Sequence, residues 1–222
     1  MDEPVAKERK VWQGISHGFH VIERGDETQD LILAQREQAD DLELWLFGAF
    51  DTNVGYPIRK YLQSNIFSNK VNETVHEGDK HEDGGFTTAL VMNAEKIVVA
   101  SFGGYKAVLC RGDVAIQLGK KHRRVQKGFW SLLGAFHLKY LTENGKKSRK
   151  NTRLGVSTHK VEPEFEFIVL ASDGIWEVMS NQEAVNLISH IEDAQTAAEV
   201  LALEAVTRMS KSTISCAVVR FH

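Results

Sequence analysis

Apolar positions in this chain come in short runs separated by turn residues, and most runs have the length of strands. Residues 43–50 (ELWLFGAF) are apolar and aromatic and read as a strand. Asp51-Thr52-Asn53-Val54-Gly55 follows as a turn, and residues 56–62 return to helical spacing with Ile58, Tyr61 and Leu62 on the apolar face. Residues 72–85 (NETVHEGDKHEDGG) are polar and read as an exposed loop. Strand-like runs then follow at 87–92, 97–102, 107–110 and 114–118, with turns at 93–96 and at Arg111-Gly112-Asp113. That spacing predicts an antiparallel meander. Residues 165–171 (FEFIVLA) are a further strand. Ser180 with Glu183 three residues on is a capping-box signature, and Ala184, Leu187, Ile188 and Ile191 form the buried stripe of the helix it opens. A second helix starts at Asp193 and runs to Met209, with Ala197, Val200, Leu201 and Ala205 facing inward. Residues 214–221 close the chain as a strand. Residues 1–11 read as a flexible tail and 12–222 as one domain, in which 119–160 are shortened and irregular. Strands in antiparallel hairpins with helices in separate blocks make this an α+β sandwich, not a βαβ sheet.

Composition narrows the function classes. The 222 residues suffice for one substantial domain. Charged residues make up 26% and the net charge is -3, so nothing global favours nucleic acid or an acidic membrane surface. No apolar run approaches the ~20 residues of a membrane helix, and the N-terminal MDEPVAKERK has no apolar h-region. Cys110 and Cys216 sit in apolar strand-like stretches outside any CxxC pair, as buried free thiols of a reducing compartment do. The expectation is a monomeric cytoplasmic or nuclear protein.

Several chemical signals are weak. His76 and His81 are five apart and flank Gly78, so they do not share a helix face as zinc ligands would. Arg111-Gly112-Asp113 is a good hairpin turn. The basic clusters Lys120, Lys121, Arg123, Arg124 and Lys146, Lys147, Arg149, Lys150 lack interleaved aromatic platforms and read as solvated loops. What packing explains poorly is a pair of strand ends carrying carboxylates: Asp51 after Phe50, and Asp173 in Ala171-Ser172-Asp173-Gly174. Either one alone is an ordinary turn initiator. Together they suggest carboxylates converging on a hard cation, Mg²⁺ or Mn²⁺.

At these residues the chain resembles the metal-dependent protein serine/threonine phosphatases of type 2C, most of all their plant members. FIVLASDGIWEVMSNQEAV is close to a late signature of that family, and LWLFGAFDTNVG resembles the strand leading into Asp-Gly-His-Gly-Gly. GGFTTALVMNAEKIVVASFGGYKAVLCRGDVAIQL resembles the Gly-Ser-Thr-Ala … Gly-Asp-Ser-Arg-Ala-Val meander, and ISCAVVRF matches the last strand. With HGFHVIERGDETQD near the start, the likeness covers 12–222 apart from roughly 120–160. It implies a four-layer sandwich, two central antiparallel sheets flanked by helices. It also implies phosphoserine and phosphothreonine hydrolysis by two bridged Mg²⁺ or Mn²⁺ ions, which activate a water near neutral pH, with an acid protonating the leaving alkoxide.

Carried over position by position, the resemblance is incomplete. Asp51 stands at the metal-bridging Asp, Asp173 at another direct ligand and Asp30 at the Asp of the Met-Glu-Asp motif. Thr52 replaces a glycine whose carbonyl faces a metal, and Gln29 replaces the Glu before Asp30. Asn53 stands where the family has its catalytic His, and an amide cannot donate a proton to an alkoxide. Gly104 replaces the Asp of Gly-Asp-Ser-Arg. Ser212 replaces the late ligating Asp, with Thr213 beside it. Ala135-Phe136 corresponds to part of an Arg-Ala-Phe-Gly-Asp motif, but Gly134, His137 and Leu138 surround it and the preceding flap region is short.

Two charges are therefore missing, at 29 and 212. A close charge pair is worth about 4 kcal/mol at an effective dielectric of ~20, nearly three decades of affinity, and losing the acid costs a further ~10²–10⁴ in rate. Three readings follow. The chain is a degenerate phosphatase that acts by binding a phosphoprotein or signalling partner. Alternatively it is a weak metal-dependent phosphatase using Asp51, Asp173 and Asp30, or an interaction module with a vestigial pocket.

Overall fold

The computed structural model describes residues 14–23, 30–39, 42–50, 87–102, 104–119 and 155–222. Along these the chain forms β1 (Ile15–Ile22), β2 (Leu31–Ala39), β3 (Leu42–Phe50), β4 (Thr87–Met92), β5 (Lys96–Phe102), β6 (Lys106–Arg111), β7 (Val114–Gln117), β8 (Gly155–Lys160) and β9 (Phe165–Ala171). The short helix α1 (Asp173–Trp176), the helices α2 (Asn181–Ile188) and α3 (Ala194–Thr207), and β10 (Ile214–Phe221) complete it. The tail at 1–11, the helix expected at 56–62, the polar loop at 72–85 and both basic clusters lie outside the described residues.

Period-two alternation divides the apolar side chains between two cores. On β10, Ile214, Cys216 and Val218 pack under the helices, while Ala217 and Val219 face the opposite way. On β6, Val108 and Cys110 join the helical side, and Ala107 and Leu109 the other. The two faces account for two antiparallel sheets, ordered β1-β10-β9-β6-β7 and β2-β3-β4-β5-β8. Helices α1, α2 and α3 cover the outer face of the first sheet, and the second sheet closes its inner face with Phe47, Leu90, Met92, Ile97 and Val99. Helices over one sheet and a second antiparallel sheet behind it give the α+β sandwich expected of the sequence.

One expectation needs correction. The run 87–118 is not a single meander: β4 and β5 pair in the second sheet, and β6 and β7 pair in the first. The chain crosses between sheets at Gly104-Tyr105, immediately before β6. The segment 119–160 also ends in regular structure, since β8 pairs with β5 from Lys96↔Lys160 to Ser101↔Gly155.

Local chemistry explains the joints. The β6–β7 hairpin turns on Gly112 and Asp113, both at positive φ (55° and 62°), a pair matching the right-handed twist of the strands. Beside it, Cys110 pairs with Phe167 and Arg111 with Phe165, so Glu166 is an extra, bulged residue. The bulge puts Phe165 on the inter-sheet side with Ile168 and Leu170, where strict alternation would have turned it out. Ser180 caps α2 through a complete capping box, and Asp193 caps α3. Ala184, Val185 and Ile188 are buried on α2, while Leu187 and Ile191 are only partly so.

Strand β1 lies at a sheet edge, and α3 is fastened to it. The Gln195 side chain accepts from the Phe19 N–H (3.1 Å) and donates to the Phe19 carbonyl (3.0 Å), as a neighbouring strand would. Gly18 permits this, because a Cβ there would run into the backbone of Ala194 and Gln195. Gly18→Ala is therefore expected to destabilise the fold by roughly 1–3 kcal/mol, as overpacking does. Gly14→Ala, with nothing within 4 Å of the added carbon, is expected to stay within about 0.5 kcal/mol of the wild type. Urea unfolding of the two variants checks the contrast.

Candidate active site at one end of the sandwich

The register of the ladders brings several strand ends to one end of the sandwich. Phe50 at the end of β3 pairs with Leu31 at the start of β2 and with Thr87 at the start of β4. Thr87 also pairs with Phe102 at the end of β5. In the first sheet Ala171 at the end of β9 pairs with Lys106 and with Cys216. Asp30, Gly104, Asp173 and Ser212 therefore lie at the same end. Gln29, Asp51, Thr52, Asn53 and residues 134–138 fall outside the described residues.

Asp30 is buried, at 8% exposure. Tyr105 donates its phenolic hydrogen to Oδ1, and Ser215 donates its hydroxyl to Oδ2 at 2.5 Å. Ser215 is itself placed by Ser172, whose Oγ accepts from the Ser215 N–H and donates to the Thr213 carbonyl, each at 2.9 Å. The Ser172 N–H returns a bond to the Ser215 carbonyl (2.9 Å). The turn after β9 is thus stapled to the start of β10. Gly174 makes the staple possible, because a Cβ there would meet the Thr213 carbonyl.

Asp173 opens α1 in the next position. Its carboxyl is raised above the ordinary carboxylate range, first by burial, then by the negative Glu177, with Lys106 opposing both. It rests against Gly104: a Cβ added to Gly104 would overlap the Asp173 carboxyl group. The space beside Asp173 that a side chain at 104 would need is therefore already taken. Lys106 lies over the Trp176 ring at 4.5 Å, and Trp176 donates its indole N–H to the Ala171 carbonyl at 2.9 Å.

Ser212 turns its hydroxyl toward Glu177. Its Oγ donates to Glu177 Oε2 at 3.2 Å. Glu177 Oε1 meanwhile accepts from the Ser210 hydroxyl (2.6 Å) and from the N–H groups of Lys211 (2.6 Å) and Ser212 (3.0 Å). These donors, the Ser210 hydroxyl foremost, hold Glu177 down to about 2. The loop entering β10 is wrapped around one carboxylate. Sequence reasoning passed over Tyr105, Ser215 and Glu177. Glu177 carried a signal, lying inside the late signature, whereas nothing in spacing alone aims Tyr105 at Asp30.

Among the described residues no three His, Cys, Asp or Glu side chains are grouped so as to hold a metal ion. Gly104 has no side-chain donor, and the Ser212 hydroxyl donates to Glu177. The cysteines contribute nothing here, since burial pushes both free thiols up to about 12.

Comparison with known proteins settles the family. Residues 136–214 match the family model for protein phosphatase 2C. An Arabidopsis thaliana "protein phosphatase 2C-like protein 44" is 36% identical over 97% of this chain and 89% of its own length. The chain belongs to the protein phosphatase 2C family. A second Arabidopsis relative, "Probable protein phosphatase 2C 58", is 32% identical over 96% of the chain and 90% of its own length. The serine/threonine phosphatase Stp1 of Staphylococcus aureus superposes with a TM-score of 0.59 over 98% of this chain and 99% of its own, at 14% identity. A C. elegans sex determining protein gives 0.60 over 95% of this chain and 65% of its own, also at 14% identity. These two structural likenesses bear on the fold alone. No helix among the described residues is long and apolar enough to cross a membrane.

The depressed Glu177 makes an acid-limb prediction. Its folded pKa, about 2, lies below the ordinary 4.5, so its stabilisation is complete above about 4.5 and is lost as pH falls through about 2. The raised Asp173 has the opposite sign, favouring the fold as it protonates. Glu177→Gln is expected to shallow the loss of stability between these pH values, measured as the urea midpoint from neutral pH down to about 2. A residual slope remains from Glu183, also held near 2.

Proposed function

We propose that this phosphatase 2C relative has lost the two-metal, acid-assisted hydrolysis and acts by holding a phosphoprotein or signalling partner without turning it over. It does so as a monomer, independently of nucleic acid or membrane. The observation that carries the reading is the direction of Ser212: where the family places a ligating aspartate, this chain has a hydroxyl that donates to Glu177. Gln29 in place of Glu, Asn53 in place of the catalytic His and Gly104 in place of an Asp support it from the sequence. A site short of carboxylates at these positions offsets less of the hydration that two divalent ions lose.

A second reading, a weak Mg²⁺- or Mn²⁺-dependent serine/threonine phosphatase, draws on Asp173. That carboxyl is retained, partly desolvated and at the end of a rigid strand. With Asp51 it could seat one weakly held cation.

Calorimetric titration with Mn²⁺ and a phosphopeptide turnover assay separate the two. The expected outcome is no tight two-site metal binding and turnover lower by at least ~10²–10⁴ than in a relative with the intact acid. Robust Mn²⁺-dependent turnover that Asp51→Ala abolishes would sink the binding account. Phosphopeptide binding that Asp51→Ala leaves untouched would move the binding surface away from this pocket. The combined restoration Gln29→Glu, Asn53→His and Ser212→Asp is expected to recover metal binding in part and activity weakly, read in the same two assays.

A further inference from the structure

We propose that Tyr105 serves as an internal ligand of Asp30, a positioning residue whose phenol occupies that carboxyl in place of a cation or its water. The inference rests on the reading that the metal centre is degenerate, and adds what has taken over one of its retained carboxyls.

Three observations meet at this residue. Tyr105 follows Gly104 at the crossover between sheets, where the resembling motif carries serine, so a much longer side chain starts from the same backbone point. It is buried, at 6% exposure, and its hydroxyl donates to Asp30 Oδ1. The other oxygen, Oδ2, accepts from Ser215, which the Ser172 staple fixes in place. Both oxygens of Asp30 thus accept hydrogen bonds from the protein's own hydroxyls, one from the crossover into β6 and one from β10. A cation or a metal-bound water recruited by Asp30 would have to displace a donor already built into the fold. A buried acceptor left without that donor is costly, which is why the tyrosine holds the carboxyl rather than merely adjoining it.

The test compares thermal unfolding of the full chain and of Tyr105→Phe, each in EDTA and in millimolar Mn²⁺. Loss of a hydrogen bond to a buried acceptor is expected to lower the Tm of Tyr105→Phe by roughly 3–10 °C in EDTA. Freed for another partner, Asp30 is expected to give the variant a Mn²⁺-induced rise in Tm larger than that of the wild type. Adding Asp30→Asn to Tyr105→Phe is expected to abolish the extra rise. An unchanged Tm, an equal Mn²⁺ response in wild type and variant, or an extra rise that survives Asp30→Asn overturns the proposal. If Tyr105→Phe does not fold, Ser215→Ala removes the second donor and is held to the same criteria. The outcome is separable from the functional reading. Active wild-type enzyme with the expected Tyr105 behaviour overturns only the absence of catalysis, whereas an inert wild type with an indifferent Tyr105→Phe overturns only this inference.

Discussion

Asp30 carries two polar oxygens into the seam between two sheets, and that end of the sandwich is arranged around satisfying them. Taking such a group out of water costs several kcal/mol unless partners are supplied. The partners here come from both sheets' connections: Tyr105 from the crossover into β6, and Ser215 from the start of β10. Ser172 then locks Ser215 to the turn after β9, and Gly174 lets that turn approach. The strand ends are drawn together by hydrogen bonds.

The same logic recurs beside it. Glu177 gathers the Ser210–Lys211–Ser212 loop with four hydrogen bonds, two from side chains and two from the backbone. Asp173 leans into the space that Gly104 leaves empty. In each case a carboxyl group of the pocket has found a neighbour in the polypeptide.

The strands from β3 onward, β8 excepted, and the capping box of α2 were legible because short apolar runs, turn residues and the Ser180–Glu183 pair act locally. The assignment of hairpins to sheets was not, because the Gly104-Tyr105 step looks like any turn until the register shows the chain crossing from one sheet to the other. Strand β8 was hidden in a segment of mixed polarity, since GVSTHK has little apolar character to announce its pairing with β5. Asp30, Asp173, Gly104 and Ser212 were singled out through their motifs. The partners they chose were not, because a hydroxyl's direction depends on contacts between residues up to 185 positions apart.

The seat of Asp173 on Gly104 limits what this end of the chain tolerates. Any side chain placed at 104 must first expel a carboxyl group from the space it has settled into. A carboxylate placed at 212 must likewise face Glu177, which already gathers that loop. Each new carboxylate, taken alone, opposes a like charge. The two positions are thereby guarded by their neighbours, and accept an acid only when those neighbours change with it.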